Sequence, residues 1–316
     1  MICFTGEALI DFIPVTDSSG AAAYRPAPGG SPYNSAIAAA RLEVPTQFLG
    51  KVSTDFFGDQ LIDRLETNHV DTDPVLRSAA PSTLAFVKKT AKGEARYAFF
   101  TNGAADTVLS PPDLPQFSDD VSAIGFGSIS LLATPTGDTI VELVEAETAS
   151  RVVSFDPNIR TVLIHDEPSY RRRVDRGVKA STIVKVSDED LRWITGTSDL
   201  RSAAREILAL GPRLVVVTTG EDGAFALTPR QAATVAAVPT TVEDTIGAGD
   251  SFHAAILAWL YHSRKLSFIE IDELSAADLT AMLRFAAVVA SGTCGRPGAD
   301  PPGLQELDSS AISWRR

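Results

Sequence analysis

Short runs of β-branched and aromatic residues alternate along most of the chain with stretches in which apolar positions recur every three or four residues. MICFTGEALI, TQFLGKVS, VSAIGFGSI and RVVSFDP read as strands, and the stretches near 32–42, 56–68 and 136–148 read as helices between them. LVVVTT (214–219) has no polar face, which suits a strand of a parallel sheet covered by helices on both sides. The alternation predicts an α/β fold with a central, mostly parallel sheet. Two regions break it. STLAFVKKT (82–90) and EARYAFF (94–100), joined by a turn at Lys92 and Gly93, predict a β-hairpin, and residues 20–28 predict another extended piece. Inserted segments at about 12–30 and 82–102 then predict a small β-sheet that serves as a lid over a ligand site, the alternative being an ordinary surface excursion.

Composition narrows the class. With 316 residues, 44% of them hydrophobic, the chain can bury a large core as one big domain, or as one domain with a small appendage. No apolar run approaches the roughly 20 residues needed to span a bilayer, and MICFTGEALIDFIP runs straight into strand-like sequence without a basic leader, so a cytoplasmic protein is expected. Cys3 and Cys294 lie far apart with no CxxC or histidine spacing, which suggests neither a disulfide framework nor a zinc site. A formal charge of −12 argues against nucleic acid and anionic membrane as partners. A nucleotide would therefore have to be held by backbone donors, a metal and a few cations.

The densest chemistry lies in DTIGAGDSF (244–252). Gly247, Ala248 and Gly249 carry almost no side chain, so their N–H groups can approach an anion closely, and a helix that follows points its positive end at the same place. Phe252, Ala255, Ile256, Trp259 and Leu260 supply that helix with an apolar face over residues 250–262. Asp250 then stands where a substrate hydroxyl could lose its proton, unless it only caps the helix. Ligands of open parallel sheets bind beyond the carboxyl ends of the strands, and several other strand-to-helix turns are chemically loaded. Asp11 follows an apolar strand. Gly29 and Gly30 precede a helix with Asn34 in its first turn. Asp156, Asn158 and Arg160 share one turn, and Thr218, Gly220 and Gly223 share another.

These segments together resemble the ribokinase-like (PfkB) carbohydrate kinase family, over essentially the whole chain. Its two signatures are matched by GGSPYNSAIAAARL (29–42), followed by FLGKVSTDFFGD (48–59), and by DTIGAGDSFHAAIL (244–257). GEALIDFIP, DPNIR, KVSDEDLRWITG (185–196) and TCGRPGADPP (293–302) look most like the bacterial fructokinase versions of those stretches. The resemblance implies one ribokinase-like kinase domain over 1–316. It implies Asp250 as catalytic base and the Gly247, Ala248 and Gly249 N–H groups as an anion hole for the transferring phosphoryl group. Asp11, Gly29, Gly30, Asn34, Asn158 and Arg160 match sugar-contacting positions, with Phe99 or Phe100 reaching in from the lid. Lys185, Ser187, Thr218, Gly220, Gly223 and Ala287 match the nucleotide side. Asp244 and Ile246 match the loop that binds a monovalent cation, K⁺, in many relatives. Where ribokinase has an Asn-x-x-Glu motif tied to its metal, alignment on Thr195 and Gly196 puts Ser187 and Asp190 here, so Mg²⁺ is expected to be held largely through water and ATP oxygens.

The implied activity is ATP:D-fructose 6-phosphotransfer, by a homodimer that pairs through the unpaired edges of the lid. Within the family the alternatives are a kinase for 2-keto-3-deoxygluconate, another ketohexose or a nucleoside. A carboxylate substrate should need a cation in the lid, and AFFTNGAAD (98–106) offers none. Outside it, a non-catalytic sugar- or nucleotide-binding module would be expected to have lost Asp250 or the glycine turn, and an NAD-dependent oxidoreductase would need a G-x-G-x-x-G turn after the first strand, which is absent.

Overall fold

A computed structural model describes residues 1–89, 95–312 and 314. The strands are β1 (Ile2–Thr5), β2 (Leu9–Thr16), β3 (Ala22–Gly29), β4 (Thr46–Leu49), β5 (Lys51–Ser53), β6 (Leu76–Ser78), β7 (Thr83–Lys89), β8 (Ala95–Phe100), β9 (Ala123–Gly127), β10 (Val152–Asp156), β11 (Ile183–Ser187), β12 (Leu214–Thr218), β13 (Ala224–Leu227) and β14 (Ala232–Val235). The helices are α1 (Ser31–Arg41), α2 (Phe56–Thr67), α3 (Thr136–Glu147), α4 (Glu167–Ala180), α5 (Asp188–Thr195), α6 (Leu200–Ala209), α7 (Ala248–His262), α8 (Phe268–Asp272) and α9 (Ala276–Cys294).

Eight strands form the main sheet in the order β14-β13-β12-β11-β10-β9-β1-β4. The pairs from β4 to β12 are parallel, while β13 runs antiparallel to both of its neighbours. The period-2 alternation of strand side chains divides the interior in two. Ile2, Phe4, Ile183 and Val216 point into a core closed by α1, α7 and α9, whereas Cys3, Val184, Val215 and Val217 point into a second core closed by α3, α4 and α6. The α/β architecture expected from the sequence is therefore present, with helices on both faces. α9 is long and apolar enough, by length and composition, to cross a membrane, contrary to the reading of the apolar runs; here it packs along α7 and against β13 and β14.

A second sheet, in the order β3-β2-β7-β8, stands beside the carboxyl end of the first. β2 is antiparallel to β3 and parallel to β7, and β7 and β8 form the expected antiparallel pair. The turn expected at Lys92 and Gly93 lies outside the described residues. MICFTGEALI is not one strand. The chain leaves the main sheet at Thr5, passes through Gly6 at φ +150°, and enters the small sheet at Leu9. TQFLGKVS divides likewise into β4 and β5, the latter pairing with β6 in a third, two-stranded sheet. Continuous apolar sequence conceals such a change of sheet, because both halves are buried.

Candidate active site

The site is assembled where β1, β10, β11 and β12 end and where α1 and α7 begin. α7 starts from Gly247, which adopts the left-handed conformation at φ +79°, and a Cβ there would lie 2.8 Å from the Ala299 side chain. A side chain at this position is thus excluded both by backbone and by space. Asp250 follows in the first turn. It is buried and takes two hydrogen bonds from α1, one from Ser31 Oγ to Oδ1 at 2.6 Å and one from Asn34 Nδ2 to Oδ2 at 2.9 Å. Burial raises its pKa above the ordinary carboxylate value, and these two donors oppose the rise. Gly249 stays exposed beside it. The Ala248 N–H, expected to be open to an anion, reaches Thr245 O at 3.3 Å, a long bond of the turn itself.

The two glycines before α1 have different tasks. Gly30, the residue that caps the helix, sits at φ +115° with the Glu7 carbonyl 2.5 Å from where its Cβ would be. A Cβ on Gly29 would lie 2.4 Å from Asp11 Oδ2, so the missing side chain makes room for that carboxylate. Asp11 has a pKa pushed up to about 7, chiefly by burial and then by the charge of Asp250, with Arg160 working the other way. Asn34 Oδ1 is buried with no partner among the described residues. Beside Asp11 and Ile246 opens a cleft of about 380 Å³, large enough for a monosaccharide, with Arg25, Ala27, Arg64 and Ala299 on its other walls. Arg64 ties the base of the small sheet to the far wall, donating to Pro28 O at 3.1 Å and to Ala299 O at 2.6 Å.

Strand register decides between the two phenylalanines. Asp11 pairs with Ala85, and Ala85 with Phe99, so Phe99 shares the face of Asp11. Phe100 is on the opposite face, 62% exposed, with its ring edge-on to Phe86, which in turn stacks on Phe12. The expectation of Phe100 as a substrate contact is corrected accordingly: adjacent residues of one strand cannot face one ligand.

Among the residues expected to border the nucleotide, Lys185 is buried and paired with Asp156 at 2.8 Å. Ser187 caps α5 by accepting from Asp190 N at 3.0 Å, while Asp190 Oδ1 accepts from Ile159 N at 3.0 Å. Asp190 is thereby committed to holding the turn that carries Asn158 and Arg160. Asn158 has φ +39° and donates to Ser128 Oγ at 3.4 Å; Arg160 is exposed and donates to Ile159 O at 3.3 Å. Thr218 ends β12, and Gly220 (φ +58°) and Gly223 (φ +99°) form the turn into β13, where a Cβ on Gly223 would meet Val235 O at 2.1 Å. Ala287 lies buried on α9. Asp244 accepts from Ile246 N and from Gly298 N, each at 3.1 Å, and so binds the loop before α7 to the loop after α9.

Three participants were not among the site residues expected from the sequence. Ser31 orients Asp250. Glu7, buried and raised in pKa by that burial, accepts from Ser31 N at 3.0 Å and from the Ser130 hydroxyl, fixing the start of α1. His253 bonds Ser154 Oγ at 2.7 Å through Nε2, and burial lowers its pKa to about 3, so it is neutral at pH 7. The GEA turn after β1 was the available clue to Glu7; the others depend on contacts distant in sequence.

A buried carboxylate at a helix start thus stands beside an exposed glycine turn, close to the cleft at Asp11 and Ile246, and known proteins share this chain's sequence and fold. The family described as "pfkB family carbohydrate kinase" matches residues 1–306. A fructokinase of Rhizobium leguminosarum bv. trifolii is 44% identical over 274 residues, 87% of this chain and 84% of that protein. The crystal structure of a Xylella fastidiosa fructokinase with bound ATP superposes with a TM-score of 0.87 at 26% identity, covering 99% of this chain and 97% of the other. A double-mutant fructokinase of Vibrio cholerae, solved with fructose, ADP and potassium ion, gives a TM-score of 0.83 at 25% identity over 100% and 98% of the two chains. The chain belongs to the pfkB family of carbohydrate kinases. It is a phosphotransferase with an alcohol acceptor.

Proposed function

We propose that the protein is an ATP-dependent fructokinase that phosphorylates the 6-hydroxyl of D-fructose. The observation that carries this reading is Asp250, buried under the glycine turn and aimed by Ser31 and Asn34, with Asp11 close enough for the two charges to repel. Asp250 takes the proton of the acceptor hydroxyl, and the first-turn N–H groups around Gly247, Ala248 and Gly249 receive the transferring phosphoryl group. Asp11 accepts hydroxyl protons of the sugar. The unpartnered Asn34 Oδ1 offers a further acceptor, which a bound hydroxyl would satisfy. Gly29 and Gly30 let the sugar close to the backbone, Asn158 and Arg160 border it, and Phe99 covers it when the small sheet acts as a lid and excludes water. Ser187, Thr218, Gly220, Gly223 and Ala287 line the nucleotide side.

Among the described residues there is no group of three or more His, Cys, Asp or Glu side chains suited to a metal ion. Mg²⁺ would bind mostly through water and substrate phosphates rather than an all-protein cage, and when bound it would offset phosphate charge. Asp244 and Ile246 would hold K⁺ at the base of the anion-hole loop, the carboxylate facing it and the loop carbonyls supplying hard oxygen donors.

The outer face of the small sheet supports a homodimer. Phe100 and Tyr24 are 62% and 47% exposed there around Phe12 and Phe86, and Phe56 at the start of α2, 67% exposed, adjoins them through Phe57. An aromatic surface of this kind beside two unpaired strand edges suits a second copy of the chain. A coupled ADP-release assay over sugars, keto-acids and nucleosides tests the proposed activity; absence of turnover with fructose would reject it.

A further inference from the structure

We infer that Asp156 is a positioning residue for phosphoryl transfer, holding the Lys185 ammonium group beside Gly249 where the transferred group arrives. This rests on the reading of Gly247–Gly249 as an anion hole. Asp156 is the last residue of β10 and Lys185 the third of β11, and the parallel register that pairs Ser154 with Ile183 and Phe155 with Val184 brings them side by side. Their charged atoms are 2.8 Å apart, with side chains 3% and 5% exposed. Lys185 Nζ lies 3.2 Å from the position of a Cβ on Gly249, so the pair reaches the floor of the proposed anion hole.

Burying such a pair rarely stabilises a fold, since desolvation of both ions offsets their attraction. The alternate residues of the two strands, Val153, Phe155, Val184 and Val186, face the other side of the sheet and are wholly apolar, while the pair's own side holds Ser154 and His253. Nor is the pair built as a complete structural bridge: Asp156 Oδ1 is buried with no partner among the described residues. Asp156 instead lies beside Ser31, Ser35, Gly127 and His253, directly behind the groups that orient Asp250. His253 is neutral and bonded to Ser154, whereas Lys185 pairs with Asp156 and its charge is also felt by Asp190 and Asp250. In the transfer, the bond from phosphorus to the ADP oxygen breaks, the bond to the sugar oxygen forms, and the hydroxyl proton passes to Asp250. Lys185 exchanges no atom. Its charge compensates the equatorial oxygens, and Asp156 fixes where that charge sits.

The test compares Asp156→Asn, Lys185→Met and the double variant with the wild-type enzyme, measuring kcat, both KM values and inhibition by ADP with aluminium fluoride. Asp156→Asn and Lys185→Met should each lower kcat on the order of 100-fold, with both KM values within about threefold of wild type and weaker inhibition by the transition-state mimic. The double variant should be no slower than Lys185→Met alone, as for residues acting as one unit. If Asp156→Asn does not fold, the double variant, which leaves no unpaired buried charge, still decides: a further loss beyond Lys185→Met overturns the inference. So does an Asp156→Asn enzyme with unchanged kcat while Asp250→Asn is inactive. A wild-type protein that phosphorylates no carbohydrate would overturn the activity and the inference together.

Discussion

Ser31 Oγ donates to Asp250 Oδ1 at 2.6 Å, joining the start of α1 to the start of α7 across 219 residues of chain. The bond aims the carboxylate and holds down a pKa that burial raises. Asp250→Asn should remove nearly all turnover, by about 10² to 10⁴-fold, the range of general-base contributions. Unfolding midpoint and nucleotide affinity should stay close to wild type. An enzyme with half its activity would show Asp250 to be a helix cap only.

The same bond sets the acid limb of the pH profile. As a general base Asp250 would act only when deprotonated, so kcat/KM should fall as pH drops through its pKa. Ser31 stabilises the charged form, and Ser31→Ala takes that support away. The variant's acid limb should move to higher pH, with the plateau above it less affected. An acid limb that stays in place or moves down would separate Asp250 from the profile.

In the proposed reading Asp11 contacts the sugar and not the nucleotide. Asp11→Ala should raise the KM for fructose far more than that for ATP, by the roughly 1.5 to 3 kcal/mol of a hydrogen bond to a charged acceptor. Equal weakening of both substrates would indicate a structural role.

Asp11 also gives a stability signature. Its pKa of about 7 in the native state, against an ordinary 3.8, means that the folded protein holds a proton that the unfolded chain releases between these values. The stabilisation from this group is complete below pH 3.8 and lost as pH rises through about 7, up to roughly 4 kcal/mol. Asp11→Asn, neutral throughout, should therefore be more stable than wild type at pH 8, with the advantage vanishing near pH 4. Denaturant unfolding at the two pH values measures this; equal differences at both would exclude the linkage.

Much of this arrangement was legible in the sequence because its parts are local. The left-handed glycine at 247, the glycine pair at 29 and 30, and the helix faces of α1, α2, α3 and α7 all declare themselves within a few residues. What escaped was set by distant partners. Ser31 and Glu7 acquire roles only through Asp250 and Ser130, and Asp156 only through a strand 29 residues away. Phe99 and Phe100 were indistinguishable until the register with Ala85 and Leu84 assigned each a face. The passage from β1 to β2 was hidden because residues 2–10 are buried on both sides of the break and read as one strand-like run.

Phe100 offers a test of the outer face. Phe100→Glu places a charge among Phe86, Phe12 and Tyr24. If this face joins two copies, light scattering should show the variant shifted from dimer to monomer. A wild-type monomer, or a dimer untouched by the substitution, would place the interface elsewhere or remove it.

The last prediction concerns the acceptor. If Asp11 and Asn34 contact the sugar as proposed, they would read hydroxyls, and the carboxylate of Asp11 would disfavour an acidic ligand. Fructose should therefore be phosphorylated with kcat/KM well above that for 2-keto-3-deoxygluconate or ribose. A site whose buried polar groups are left unpaired by the wrong substrate can discriminate by about 10⁴-fold. Arg160 is the residue that could reverse the order. It is exposed, donates to Ile159 O at 3.3 Å and carries a charge that Asp11 feels, and a guanidinium group can pair with a carboxylate in two-pronged fashion. Arg160→Gln should accordingly leave fructose turnover within about tenfold of wild type if the sugar is neutral, a loss of no more than one hydrogen bond. Better turnover of the keto-acid by the wild-type enzyme, abolished in Arg160→Gln, would reassign the acceptor while leaving Asp250 and the anion hole in place.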